Sequence, residues 1–169
     1  TAHTANDNAE TILMNIIRGT GLSGIKEIEI KRENKFIRPI IELTRKEIEE
    51  YCEKQNLEPK IDKTNSENIY RRNKVRNELI PFIEKEFNPN IITTLNRMSQ
   101  LVSKDDEYLE KQVEKTYKKI VIDEYLGNRQ LEGKNSIILD LKKFNLEETV
   151  IKNRLVRYTI NILMGNKQN

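Results

Sequence analysis

Asp62-Lys63-Thr64-Asn65, followed by Tyr70-Arg71-Arg72-Asn73-Lys74-Val75-Arg76-Asn77-Glu78-Leu79-Ile80-Pro81, is the stretch around which this 169-residue chain is organised. A turn-type carboxylate and amide lead into a strongly basic amphipathic helix. Pro81 then interrupts the hydrogen-bond ladder, because it lacks an N–H and clashes with the carbonyl one turn back. Helical spacing puts Val75, Leu79 and Phe82 on one face and sets Arg72 and Arg76 one turn apart at its edge. Two neighbouring guanidiniums have two readings. Each can lay its stem on the core and pair with a carboxylate, with Asp62 the obvious partner. Alternatively their fork donors, together with Asn73 and Lys74, face a phosphate or an RNA backbone.

Upstream, Asp7 and Glu10 precede Ile12, Leu13, Ile16 and Ile17 at helical spacing, so a helix is expected with Asp7 at its N-cap and Gly19 as its terminator. His3, Asn6 and Asp7 gather just before that helix, whose N-terminus is a natural anion site. Between Ile25 and Ile40 the pattern alternates. Ile28 and Ile30 share a strand face, Arg32 to Lys35 turn the chain, and Phe36 to Arg38 return, with Pro39 marking a sheet edge. Thr44 and Glu47 have capping-box spacing and open a helix that carries Cys52 as a small apolar residue and ends near Asn56 and Pro59.

Downstream, Asn88-Pro89 reads as an N-cap with proline at the first helical position. The stripe Ile91, Leu95, Met98, Val102, Leu109, Val113 and Ile120 predicts one long helix running to about Glu124, broken in pattern only by Asp105. Gly127-Asn128 marks a boundary. Ile137 to Leu141 is expected as a strand, Lys142 to Asn145 as a connection, and Glu147 to Met164 as a helix burying Ile151, Leu155, Tyr158 and Ile162. Lys142, Lys143, Lys152, Arg154 and Arg157 make this last piece basic, either as a solvated face or as an RNA contact.

Charged residues make up 34% and hydrophobic ones 36%, and 30 Lys plus Arg against 27 Asp plus Glu leave a net charge of +3. That is too small to imply a nucleic-acid partner by itself, so any such partner has to be argued from local clusters. With Cys52 the single cysteine, an intrachain disulfide and a Cys-x-x-Cys site are excluded. No apolar run approaches the roughly 20 residues of a membrane helix. A cytoplasmic location with no membrane partner is the expectation.

The run Asp-x-Thr-Asn, then Tyr-x-Arg-Asn-x-Val-Arg and Leu-x-Pro, resembles the closing segment of the ATP-using domain of tRNA(Ile)-lysidine synthetases, members of the PP-loop superfamily. His3-Thr4-Ala5-Asn6-Asp7-Asn8-Ala9-Glu10-Thr11, with Arg18-Gly19-Thr20-Gly21-Leu22, resembles an earlier block of the same family, and the two lie in the expected order. The resemblance implies a ligase that adenylates the first anticodon cytidine of tRNA(Ile) with ATP and then lets free lysine displace AMP. It implies His3 and Asp7 as catalytic candidates, His3, Asp7, Arg18 and Gly19 beside the nucleotide, and Asp7 as a candidate Mg²⁺ contact. It also implies Arg72, Asn73, Lys74 and Arg76 on the tRNA. Thr4 stands where a second His is frequent and Asn6 where an Asp is frequent.

No Ser-Gly-Gly-x-Asp-Ser phosphate loop occurs in these residues. The expectation is therefore a mainly α chain with a small β-hairpin: residues 1–88 as the latter part of an α/β PP-loop ATPase domain, 89–128 as a long linker helix, and 129–169 as a small helical tRNA-contacting domain. Alone it is expected to be inactive, and exposed sheet edges could pair two copies as a homodimer. Two other readings stay open, a non-catalytic RNA-binding helical module and a related PP-loop tRNA-modifying enzyme.

Overall fold

A computed structural model describes residues 1–26, 28–32, 35–60, 71–125 and 135–165. Asp62 to Asn65, Tyr70 and the Gly127-Asn128 boundary lie outside the described residues. The chain divides into two compact units, Thr1–Lys104 and Asp105–Asn169. The described residues are mainly helical, with two small two-stranded antiparallel sheets.

In the first unit α1 (Ala5–Arg18) is followed by the short α2 (Leu22–Ile25), the hairpin β1 (Lys31–Arg32) and β2 (Phe36–Ile37), and α3 (Arg45–Lys54). The hairpin pairs Lys31 with Ile37 and Arg32 with Phe36. It is shorter than expected: Ile28 and Ile30 precede the paired residues, and the Arg38 N–H donates to the Ile30 carbonyl at 2.8 Å. Thr44 caps α3 in a full capping box, whose N–H and hydroxyl bonds hold the Glu47 carboxyl below the usual range. The core of the unit is Ala9, Ile12 and Leu95, with Leu13, Ile25, Ile91 and Met98 packed on it. Burying Ile12 completely is worth about 1.5 to 3 kcal/mol.

The basic segment does not stop at Pro81. It runs as α4 (Arg71–Lys74), a π turn (Val75–Leu79) and α5 (Ile80–Glu86). The Ile80 N–H donates to the Val75 carbonyl, five residues back, so the ladder widens just ahead of the residue that has no N–H to give. Val75 and Ile80 are buried, and Val75, Leu79 and Phe82 share one face as expected, with Phe82 its exposed member.

The long helix α6 (Ile91–Ile120) ends earlier than its spacing suggests. Val121–Tyr125 form β3, which pairs with β4 (Ser136–Leu139) through a bulge between Val121 and Asp123. β-branched and aromatic residues there suit a pleated strand once a partner is available. Lys142 to Asn145, expected as a connection, lie in α7 (Leu141–Leu146), because the Asp140 carboxylate accepts from the N–H groups of Lys142 and Lys143. The last helix, α8 (Thr149–Leu163), ends at Gly165, which has φ 72°. Leu155 of α8 joins Val113, Tyr117 and Ile120 of α6 in the second core, with Ile151, Tyr158 and Ile162 against it as the spacing implied.

Candidate functional site

The first turn of α1 is built around Asp7, though not as its N-cap. Thr4 holds that place: its hydroxyl accepts from the Asp7 N–H at 3.4 Å, while Asp7 Oδ2 accepts from the Thr4 N–H and hydroxyl, each at 2.9 Å. Threonine at position 4 is therefore a helix cap, and Asp7 is the acid of a capping box. Asn6 Oδ1 accepts from the Arg45 N–H at 2.8 Å, tying the start of α3 to the start of α1.

Three residues on, Glu10 is only 1% exposed. A carboxylate removed from water to that extent needs close cationic partners. The two arginines of the basic helix supply them. Arg76 donates from Nε to Glu10 Oε1 at 2.6 Å and from Nη2 to Oε2 at 2.9 Å, a two-toothed grip. Arg72 donates from Nε to Glu10 Oε2 at 2.8 Å. Both guanidiniums also reach Asp7 Oδ1, each at 3.1 Å. The hydrogen bond to Glu10, reinforced by the charges of Glu10 and Asp7, raises the Arg76 pKa above its ordinary value in spite of partial burial. Asp7, Glu10, Arg72 and Arg76 thus form one compensated network, two charges of each sign. The carboxylates that meet the arginines are Asp7 and Glu10, while Asp62 falls outside the described residues.

The network decides what Asp7 can hold. Its Oδ2 is taken by Thr4 and its Oδ1 by the two arginines, which fills its acceptor directions. Among the described residues no group of three or more His, Cys, Asp or Glu side chains is placed to hold a metal ion. A Mg²⁺ contact through Asp7 does not fit this arrangement.

The other sequence candidates are distributed as follows. His3 stands just before α1, half-buried, with Nδ1 2.9 Å from the Thr1 hydroxyl. Arg18 and Gly19 lie at the opposite end of the same 14-residue helix, about 20 Å away at 1.5 Å per residue. There Gly19, at φ 79°, closes α1 with its N–H on the Ile16 carbonyl. His3 and Asp7 are thus together, and Arg18 and Gly19 are apart from them. Lys74 is exposed and lies 4.0 Å from Glu78, and Asn73 is half-buried.

A second buried network was not apparent from spacing. Asn8, nearly fully buried, accepts from the Ile28 N–H and donates to Asn96 Oδ1 and the Ser99 hydroxyl, while Asn96 donates to the carbonyls of Ala5 and Ile92. It locks the start of α1 to α6. The only hint in the sequence is three amides and hydroxyls, Asn8, Asn96 and Ser99, set among apolar helical positions.

Arg154, grouped by sequence with the basic residues of the last helix, points inward in the second unit. Its Nη2 donates to Asp106 Oδ1 and its Nη1 to Glu110 Oε1, both at 2.6 Å, with the arginine side chain 11% exposed. Burial opposes its charge, but Asp106 and Glu110 outweigh that and raise its pKa.

Residues 1–83 match the family model described as a PP-loop domain. The chain is 49% identical over 150 residues to a tRNA(Ile)-lysidine synthase of Clostridium perfringens, covering 89% of this chain and 30% of that protein. It is 42% identical over 164 residues to one of Clostridioides difficile, covering 97% and 34%. A Nostoc tRNA(Ile)-lysidine synthase is 32% identical over 177 residues, covering 100% and 52%. The chain thus spans about a third of the length of the two clostridial relatives and about half of the cyanobacterial one.

Proposed function

We propose that this chain, whose residues 1–83 match a PP-loop domain, forms part of a tRNA(Ile)-lysidine synthase. The whole enzyme is a carbon–nitrogen ligase in this reading. ATP adenylates the first anticodon cytidine of tRNA(Ile) with release of pyrophosphate, and the amine of free lysine then displaces AMP.

The observation that supports this reading most directly is the meeting of the two sequence blocks. Glu10 and Arg76 stand 66 positions apart and share a two-toothed ion pair. The described parts of the two segments that carry the family likeness therefore meet in one ion-pair network. In the proposed reaction Arg72 and Arg76 act as positioning residues: they fix Asp7 and Glu10 and so hold the first turn of α1 and His3 before it. His3 and that turn face the nucleotide, whose developing negative charge suits the positive end of a helix. Lys74 and Arg71, exposed on the adjoining helix, carry the electrostatic contact with tRNA.

The test is incorporation of radiolabelled lysine into a tRNA(Ile) transcript, with ATP, by the longer protein that contains this chain. Label in the transcript that depends on ATP and on the anticodon cytidine is the expected result. No incorporation by a folded protein would overturn the reading. The 169 residues alone contain no Ser-Gly-Gly-x-Asp-Ser loop and are proposed to be inactive. Micromolar ATP affinity of the isolated chain in calorimetry would contradict that part.

A further inference from the structure

Further along the face of α1 that carries Asp7 and Glu10, toward the C-terminal end of the helix, lies a groove of about 560 Å³, a volume typical of small-ligand sites. Met14 and Ile17 of α1, Val75 and Leu79 of the π turn, and Phe82 of α5 form its apolar floor. Arg18, Arg71 and Lys74, all exposed, stand on its rim. Among the described residues Glu78 is the one carboxylate lining it, so cations outnumber anions three to one there. Phe82 is 54% exposed, and Phe87 packs edge-on against it, with ring centroids 5.6 Å apart and planes at 66°. That contact sets the angle of the Phe82 ring while leaving more than half the residue open to solvent.

We infer that this groove binds a single-stranded RNA nucleotide, with the base stacked on Phe82 and the flanking phosphates on Arg18, Arg71 and Lys74. A ligand with a flat apolar face and a polyanionic edge is what an aromatic floor inside a cationic rim selects. The inference rests on the tRNA reading above and adds to it a nucleotide subsite that the Asp7–Glu10 network does not touch. The π turn has a role here as well. It lies within the groove wall, where Val75, Leu79 and Phe82 line one face and the Phe82 ring is the exposed member.

The test is fluorescence anisotropy of the 169-residue chain with a labelled anticodon stem-loop RNA, competed by a fully paired RNA duplex. The stem-loop should bind and the duplex should compete poorly. Phe82→Leu keeps an apolar side chain at an exposed position but removes the stacking face, and should weaken stem-loop binding about tenfold. Phe82→Tyr should bind like the parent. Lys74→Ala and Arg71→Ala should each lower the salt slope by about 0.7. Thermal melts of each variant confirm the fold.

Stem-loop affinity unchanged in Phe82→Leu would overturn the inference, as would absence of stem-loop binding. Self-association of the chain that Phe82→Leu abolishes, with RNA affinity intact, would assign the groove to a second copy and also overturn it. Lysine incorporation by the longer protein is read separately, so a failed groove and a failed ligase reading give different results.

Discussion

Arg76 Nε donates to Glu10 Oε1 at 2.6 Å, and this bond joins a nearly buried acid on the first helix to a cation on the basic helix. The pair orients everything around it. A carboxylate at that depth is compensated by the arginine, and Arg76 in turn holds the π turn against α1. Asp7 is drawn into the same network, so the helix cap and the ion pair support each other.

Breaking this pair from one side should cost more than removing it whole. Arg76→Met leaves Glu10 buried with only Arg72 beside it and should lower stability by about 3 to 5 kcal/mol. Arg76→Lys should recover little, because one ammonium does not reproduce the paired N–H donors. Arg72 is more exposed, at 39%, and Arg72→Met should do less. Adding Glu10→Gln to Arg76→Met should regain part of the loss. Urea unfolding of these four variants and of Glu10→Gln alone measures the coupling, and additive losses would mean the two residues act independently.

The second unit should lose stability at alkaline pH through Tyr117. Burial, and then the hydrogen bond its hydroxyl donates to Glu124 Oε2 at 2.8 Å, push its pKa well above the ordinary tyrosine value. A folded pKa raised above the unfolded one means that the contribution is complete below the unfolded value of about 10 and is lost as pH rises toward the folded one. Tyr117→Phe should cost about 1 kcal/mol near neutrality and flatten the alkaline decline. Circular dichroism melts from neutral pH to pH 11 or so test this, and an identical decline in the variant would rule Tyr117 out as its source.

Arg154 should prove structural and not part of an RNA-binding face. Arg154→Ala leaves Asp106, which is nearly buried, and Glu110 facing one another without their cation, at a cost of about 3 to 5 kcal/mol. Where enough folded protein remains, affinity for the stem-loop RNA should match the parent. Arg157→Ala, at an exposed position of the same helix, should leave stability within about 0.5 kcal/mol. Equal melting temperatures for the Arg154 and Arg157 variants would contradict the assignment.

Where burial and spacing agreed, the local readings match the structure. The stripe from Ile91 to Ile120 is helical, Leu155 is the centre of the last helix, and Thr44 with Glu47 forms the capping box its spacing announced. The differences have local causes that only a partner could reveal. Val121 to Tyr125 could continue a helix by propensity, but pairing with Ser136 to Leu139 makes them a strand. Lys142 to Asn145 became helical because Asp140 caps them. Val75, Leu79 and Phe82 share one face as the wheel suggests, and what the wheel could not show is that this face lines a groove with Phe82 left exposed.

The sequence by itself determined the helices that carry a clear apolar stripe, the burial of Val113, Ile120 and Leu155, and the likeness of residues 1–83 to a PP-loop domain. Those properties follow from near-neighbour periodicity and from residue patterns read in order. Only the tertiary structure decided that Asp7 and Glu10 receive Arg72 and Arg76, and that Arg154 turns inward. A charged side chain on a helix edge can satisfy its field in water or in any carboxylate within reach. Which one it meets depends on how distant helices pack, and desolvation makes that choice count only after packing has taken the water away.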